Sequence, residues 1–308
     1  EAAFTSLQLE PSSSNLCAAL AVIAQESTFQ ADPPVPGLNT IARAEIERRA
    51  QRFKIPGFVL KAMLARPSSD GRTFAQRLEA VKTEQELSAV YEDMIGQVPL
   101  GGKLLAGFNP IRTGGPMQVR IDFAQANIRA YPYTVGKGGV RAEVFSRRGG
   151  LYFGIKHLLD YPNSYRKPLY NFADFNAGRY ASRNAAFQRA VALTSGMPLQ
   201  FDGDLLLPKA PMNAPGSTEL ALRSMSASLA MDAVAIRKAL QQGNSARFES
   251  TELYLRVFDL AETKIQGPLS RARLPEIALN SPKISRKLTT AWFAERVNTR
   301  WQQCMAKP

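Results

Sequence analysis

Residues 18–29, AALAVIAQESTF, form an apolar helical run that carries one carboxylate, Glu26, into hydrophobic surroundings. Leu16, Leu20, Ile23, Ala24 and Ser27 recur at the spacing of one helical face, so this segment is expected to turn that side toward a core. Val22 and Phe29, four residues before and three after Glu26, are expected to flank it on its own side. A glutamate pressed against apolar groups loses hydration of its charged form. Its pKa rises, and it can hold a proton near neutral pH as a general acid. The competing reading is an exposed position near a helix end.

A chain of 308 residues can bury a large core, as one large or two smaller domains. It has no apolar run of about eighteen residues, so no membrane-spanning segment is expected. The start at Glu1 rather than Met is what removal of a signal peptide, or trimming, would leave. A net charge of +13 and a pI near 9.9 predict attraction to polyanions: nucleic acid, anionic lipid or acidic cell-wall material. The basic residues are spread along the chain, with small clusters such as Arg147 and Arg148. No basic-aromatic motif stands out, so nucleic acid is not expected as a partner.

The residue inventory excludes much chemistry. One histidine, His157, leaves little scope for a histidine-rich metal site, and Cys17 and Cys304 are too distant for a zinc motif, so no metal is expected. His157 reads as a packing or surface residue of its helix. No Walker or Rossmann glycine pattern is present, and no cofactor is expected. The two cysteines fit either a disulfide in an oxidising compartment, tying the chain end to the Glu26 helix, or two buried thiols.

Along the chain, residues 1–11 read as an unanchored arm. Ser12, Ser13, Ser14 and Asn15 offer N-caps for the Glu26 helix, and three prolines between 32 and 37 end it. The best of three further helical segments before 97 is 83–97, opening on Thr83 and Glu86 in capping-box spacing. The stretch holding Gly101, Gly102, Gly107, Gly114 and Gly115 is turn-rich. Helical patterns follow at 117–130, 140–146, 150–161, 165–175 and 182–195. Residues 198–216 read as a linker or edge loop with a short strand at 204–207. Three more helices are expected at 217–242, 247–265 and 285–305. The architecture is therefore mainly α.

What the inventory leaves is acid–base work by carboxylates, and some glycosidases with substrate assistance need only one. Four segments then stand in order: ESTF at 26–29, GPMQV at 115–119, GLYFGIKHLLDY at 150–161 and ADFNAG at 173–178. Together they resemble the lytic transglycosylases of the goose-type lysozyme superfamily, whose pattern is a catalytic ES, a G-[LV]-MQ, a glycine-containing helix ending in a leucine pair, and AYNAG. The whole chain also resembles an uncharacterised family of bacterial, lipoprotein-like proteins built round this domain.

The resemblance implies a lysozyme-like helical catalytic domain at 12–197 with a helical insertion at about 33–110, and a C-terminal helical extension at 217–308 packed on it. It also implies a periplasmic peptidoglycan lyase, with a lipid anchor on a removed N-terminus as one form. Glu26 would protonate the bond between N-acetylmuramic acid and N-acetylglucosamine, then take a proton from the muramoyl 6-hydroxyl to give a 1,6-anhydro product. Ser27, Met117, Gln118, Tyr152, Phe175 and Asn176 would bind the glycan. Peptidoglycan strands would be the partner, together with an envelope protein on the insertion or the C-terminal helices.

Two departures from the family pattern matter. About ninety residues separate Glu26 from the MQ motif, and Phe175 stands where the family has tyrosine, so Tyr152, Tyr170 and Tyr180 are candidate substitutes for its phenol. A hydrolytic muramidase is the nearest rival, with Asp32, Asp122 or Glu143 activating water. A non-catalytic glycan-binding scaffold is the other.

Overall fold

The computed structural model describes residues 1–97, 108–136, 138–279 and 288–307. Gly101, Gly102 and Gly107, and the expected helix start at Ser285, lie outside them. Among the described residues the chain is mainly helical, with two short antiparallel hairpins. No helix among them is long and apolar enough to cross a membrane. The chain divides into two compact units: Glu1–Pro11 with Ile23–Lys156, and Ser12–Val22 with His157–Pro308. The boundaries fall within two helices, α2 (Ser13–Glu26) and α9 (Arg147–Leu159).

The first unit opens with α1 (Ala2–Leu7), which corrects the expectation of a free arm. Phe4 is buried, and Ala3 and Leu7 pack on a cluster of Val119, Tyr131, Tyr152 and Phe153. Burying one such aromatic contributes about 2 kcal/mol, enough to hold a short segment down. Next come α3 (Leu38–Arg52), α4 (Gly57–Leu64), α5 (Phe74–Ala80) and α6 (Glu84–Gly96). Leu38, Ile46, Phe74, Leu78, Leu87 and Val90 of this set share one core. Helices α5 and α6 each start on a complete capping box, Thr73 with Gln76 and Thr83 with Glu86, which satisfies two orphan N–H groups per helix.

Residues 117–120 are not helical, contrary to expectation. They belong to a hairpin in which β1 (Thr113–Gly114) pairs with β2 (Val119–Arg120), with Gly114 opposite Val119. Only then do α7 (Ile121–Ala126), α8 (Gly139–Phe145) and α9 follow. Positive φ at Gly115 and Gln118 is incompatible with a helix there.

In the second unit α10 (Pro168–Ala177), α11 (Ala181–Ser195), α12 (Ser217–Ser224), α13 (Ser226–Leu229), α14 (Ala233–Leu240) and α15 (Glu252–Ile265) precede a second hairpin of β3 (Ala278–Leu279) and β4 (Leu288–Thr289). Helix α16 (Thr290–Met305) packs along α10. The core joins Phe187, Leu222, Phe248, Leu253, Val257 and Phe258. The stretch 204–207 forms no strand; Leu205 enters that core instead, so 198–216 is part of the unit's packing. The expected helix 217–242 is broken, because Ala230 turns left-handed (φ 48°) and Asp232 caps a new start at Ala235 N.

Two buried charged groups organise this unit. Asp174 accepts from the Tyr165 and Tyr161 hydroxyls and from the Tyr180 and Ser182 amides. Arg183 donates to the Asn184 side chain and to the Gly243 and Ser245 carbonyls. Charges buried this deeply persist only with such complete partners. Cys17 and Cys304 form a disulfide with Cα atoms 5.6 Å apart, and Trp301 Nε1 donates to the Ser14 carbonyl at 3.1 Å.

Candidate active site

Glu26 is the last residue of α2, and the chain leaves that helix through two left-handed residues, Thr28 (φ 49°) and Phe29 (φ 66°). This exit carries Phe29 out to 61% exposure, so it does not cover the carboxylate as its spacing suggested. The stripe also differs from expectation. Of it Ile23 and Ser27 are buried, but Leu20 is exposed, and the buried face widens to Cys17, Ala18, Ala19, Ala21 and Val22, mostly small side chains that admit close neighbours.

Ser27 holds the exit in place. Its hydroxyl is buried, 3.1 Å from the Ile23 carbonyl one turn back and 2.7 Å from the Pro116 carbonyl. One O–H makes one strong donation, and the shorter contact ties the ES pair to the GPMQ turn. That turn closes through the Gln118 amide donating to the Gly115 carbonyl at 3.0 Å. Gly115 is required here: its φ is 74°, and a Cβ would lie 2.2 Å from the Val144 carbonyl. The Gln118 side chain accepts from the Thr113 hydroxyl at 3.1 Å.

Helix α9 contributes by lacking side chains. A Cβ on Gly150 would stand 2.5 Å from Pro116 Cδ, and one on Gly154 would stand 2.5 Å from Met117 Sδ. These two positions, one turn apart, let the GPMQ turn lie directly on the helix. The ES, GPMQ and GLYFG segments, separated in sequence, thus form one packed cluster in the first unit.

Burial drives the Glu26 carboxyl from its ordinary value of 4.5 up to about 8, and the negative charge of Glu84 adds to the rise. Glu84 is the first residue of α6, whose start is laced to the segment after Glu26. Val35 N donates to the Lys82 carbonyl at 2.8 Å, Pro34 pairs with Thr83, and Asp32 Oδ1 accepts from Gln85 N at 3.2 Å. At neutral pH Glu26 is therefore a carboxylic acid with a proton to give. Glu84 was missed in the sequence: the capping box predicts an acidic first turn for α6, but no spacing relates that turn to Glu26.

Glu26, Ser27, Met117 and Gln118 are brought together. Met117 is fully buried and supports the turn from beneath, while Gln118 is half-buried. Tyr152 is also buried, its hydroxyl donating to the Ala130 carbonyl at 2.7 Å and its ring against Tyr131 and Phe153. Phe175 and Asn176 belong to the second unit. Phe175 packs on the His157 ring at 5.1 Å, and exposed Asn176 accepts from the Thr290 hydroxyl at 2.7 Å.

Comparison with known proteins gives the family. The model described as Protein of unknown function (DUF1615) matches residues 1–307. The chain belongs to this family. A relative from Escherichia coli strain K12, Uncharacterized protein YaiW, is 53% identical over 302 residues, which cover 98% of this chain and 82% of that protein. No solved structure matches.

In this family member the other carboxylates weighed from sequence are engaged elsewhere. Asp122 pairs with Arg120, and Asp32 caps the start of α6. Burial would raise the Glu143 carboxyl, but hydrogen bonds from Tyr131 and Arg148 hold it below the usual glutamate range. Among the described residues no cluster of three or more His, Cys, Asp or Glu side chains is placed to hold a metal ion.

Proposed function

We propose that this protein is a peptidoglycan lytic transglycosylase with a lysozyme-like catalytic region, acting in the bacterial envelope through Glu26. The observation that carries the proposal is the protonated Glu26 at the end of α2, clasped through Ser27 to the GPMQ turn on the glycines of α9. Glu26 gives its proton to the glycosidic oxygen as the bond from the muramoyl C1 breaks. The resulting carboxylate takes the proton of the muramoyl 6-hydroxyl while O6 closes onto C1. No water is consumed, and Glu26 ends protonated as it began. The net charge of +13 suits an anionic wall.

One observation favours hydrolysis as a second reading: Glu84 places another carboxylate in the electrostatic reach of Glu26, as a water-activating base requires. The test is digestion of purified peptidoglycan by the protein and by Glu26→Gln, with soluble products identified by mass. Anhydro-muropeptides from the unsubstituted protein alone support the transglycosylase. Products heavier by one water mean a muramidase. No product from either protein, with wall binding kept, means a scaffold.

A further inference from the structure

Helix α4 has the sequence GFVLKAML, apolar at every position but Lys61, yet none of its residues is buried. A helix of this composition ordinarily turns a stripe into a core. Here Phe58 is 77% exposed, Met63 is 40% exposed, and Phe53 in the bend before α4 is 55% exposed. Single exposed apolar residues need no explanation, but three large ones within eleven residues of chain, Phe53 with its ring 5.4 Å from that of exposed Phe108, mark a contact surface. Beside them a cavity of about 590 Å³ opens against α3 and α5, lined by Ile46, Leu60, Leu64 and Leu78.

The charge around this corner is predominantly of one sign. Residues 43–66 contain seven Arg or Lys and two Glu, a balance of +5. Glu45 is taken up by Arg48 and Arg49, and Glu47 stands at the cavity rim. Arg52, Lys54, Lys61 and Arg66 are exposed and pair with no carboxylate among the described residues. Aromatic and thioether side chains standing out of a short helix, ringed by unpaired cations, suit the boundary of an anionic bilayer. Apolar groups enter the acyl edge there while the long basic side chains reach the headgroup phosphates.

We propose that the corner formed by Phe53, Phe58 and Met63 docks the protein on an anionic lipid surface, with Arg52, Lys54, Lys61 and Arg66 holding the headgroups. This contact is separate from the Glu26 chemistry and does not depend on it.

The experiment is co-sedimentation of the full chain with phosphatidylglycerol/phosphatidylcholine vesicles and with pure phosphatidylcholine vesicles, at several salt concentrations. The protein is expected to bind the anionic vesicles. A Phe53→Ser, Phe58→Ser, Met63→Ser variant should lose about tenfold or more in partitioning, because both insertion and charge contribute. Replacing Arg52, Lys54, Lys61 and Arg66 by Gln should reduce binding to the level on neutral vesicles. Replacing Lys209, Lys238, Arg247 and Lys307 by Gln removes the same charge from the second unit and should leave most of the binding. All these positions are exposed, so the variants should keep their thermal unfolding. Undiminished binding by the serine variant overturns the proposal. So does an equal loss in the second-unit variant, which would reduce the effect to net charge, or a concentration-dependent dimer abolished by the serine substitutions, which would make the occupant a second copy.

Discussion

Replacing Glu26 by Gln tests the raised carboxyl through stability, independently of any substrate. In the fold Glu26 holds its proton up to about pH 8, whereas in the unfolded chain it loses it near 4.5. A raised carboxyl opposes folding wherever the unfolded chain is ionised and the folded one is not. The cost is absent below 4.5, grows as pH rises from 4.5 to 8, and is constant above. At pH 7, about 2.5 pH units past the unfolded value, it amounts to about 3 kcal/mol at 1.36 kcal/mol per unit. Glu26 keeps partial surface exposure, which makes this figure an upper bound. Gln has the shape of the protonated acid and no charge to lose. Urea unfolding of the two proteins should coincide at pH 4, then diverge in favour of Glu26→Gln by 2 to 3 kcal/mol, roughly, at pH 7, and by no less at pH 9. Curves that stay superimposed at every pH would refute the raised pKa, and with it the acid role.

Glu84→Gln removes the lesser of the two causes, so the pH at which the Glu26 curves finish diverging should move down without reaching 4.5; an unmoved edge would show that the two carboxyls do not interact. Gly150→Ala drives a methyl toward Pro116 Cδ and the Val144 carbonyl, and overpacking of this kind costs about 1–3 kcal/mol. Thermal unfolding should register it, and stability equal to the parent would mean that the GPMQ turn does not rest on α9. Opening the Cys17–Cys304 disulfide with paired serines releases a span of 287 residues, for which loop entropy gives an upper limit of about 5.6 kcal/mol. Urea midpoints should fall accordingly, and an unchanged midpoint would sink the estimate.

Where a structure is set by local chemistry, the sequence showed it. The Thr83–Glu86 box marked the start of α6, and both of its hydrogen bonds are made. The Glu26 helix was legible from its caps and its apolar run, and so were α9, α10 and α11 to within a few residues. Distant contacts were not legible. Residues 117–120 alternate apolar Met117 and Val119 with polar Gln118 and Arg120, a strand-like signal that the helical expectation passed over, and Gly150 and Gly154, more than thirty residues on, make room for the hairpin turn. The break at Ala230 was visible in principle, because Asp232 is a good N-cap in the middle of the expected helix. The cluster at Glu26 was foreshadowed by the order of its motifs. Glu84 was not, because its meaning depends on how 32–35 and 82–85 meet.

The second unit takes its first eleven residues from near the start of the chain and the rest from beyond His157. During synthesis residues 12–22 emerge early and must wait for their partners until α16, whose Cys304 lies 287 residues beyond Cys17, is available. A nascent chain therefore carries an incomplete unit until α16 has emerged, and the closing step joins α2 to α16 through Cys17–Cys304 and Ser14–Trp301. Such a topology delays this unit's commitment to its native state until α16 has been made. Removal of α16 would consequently undo structure in α2, the very helix that ends in Glu26.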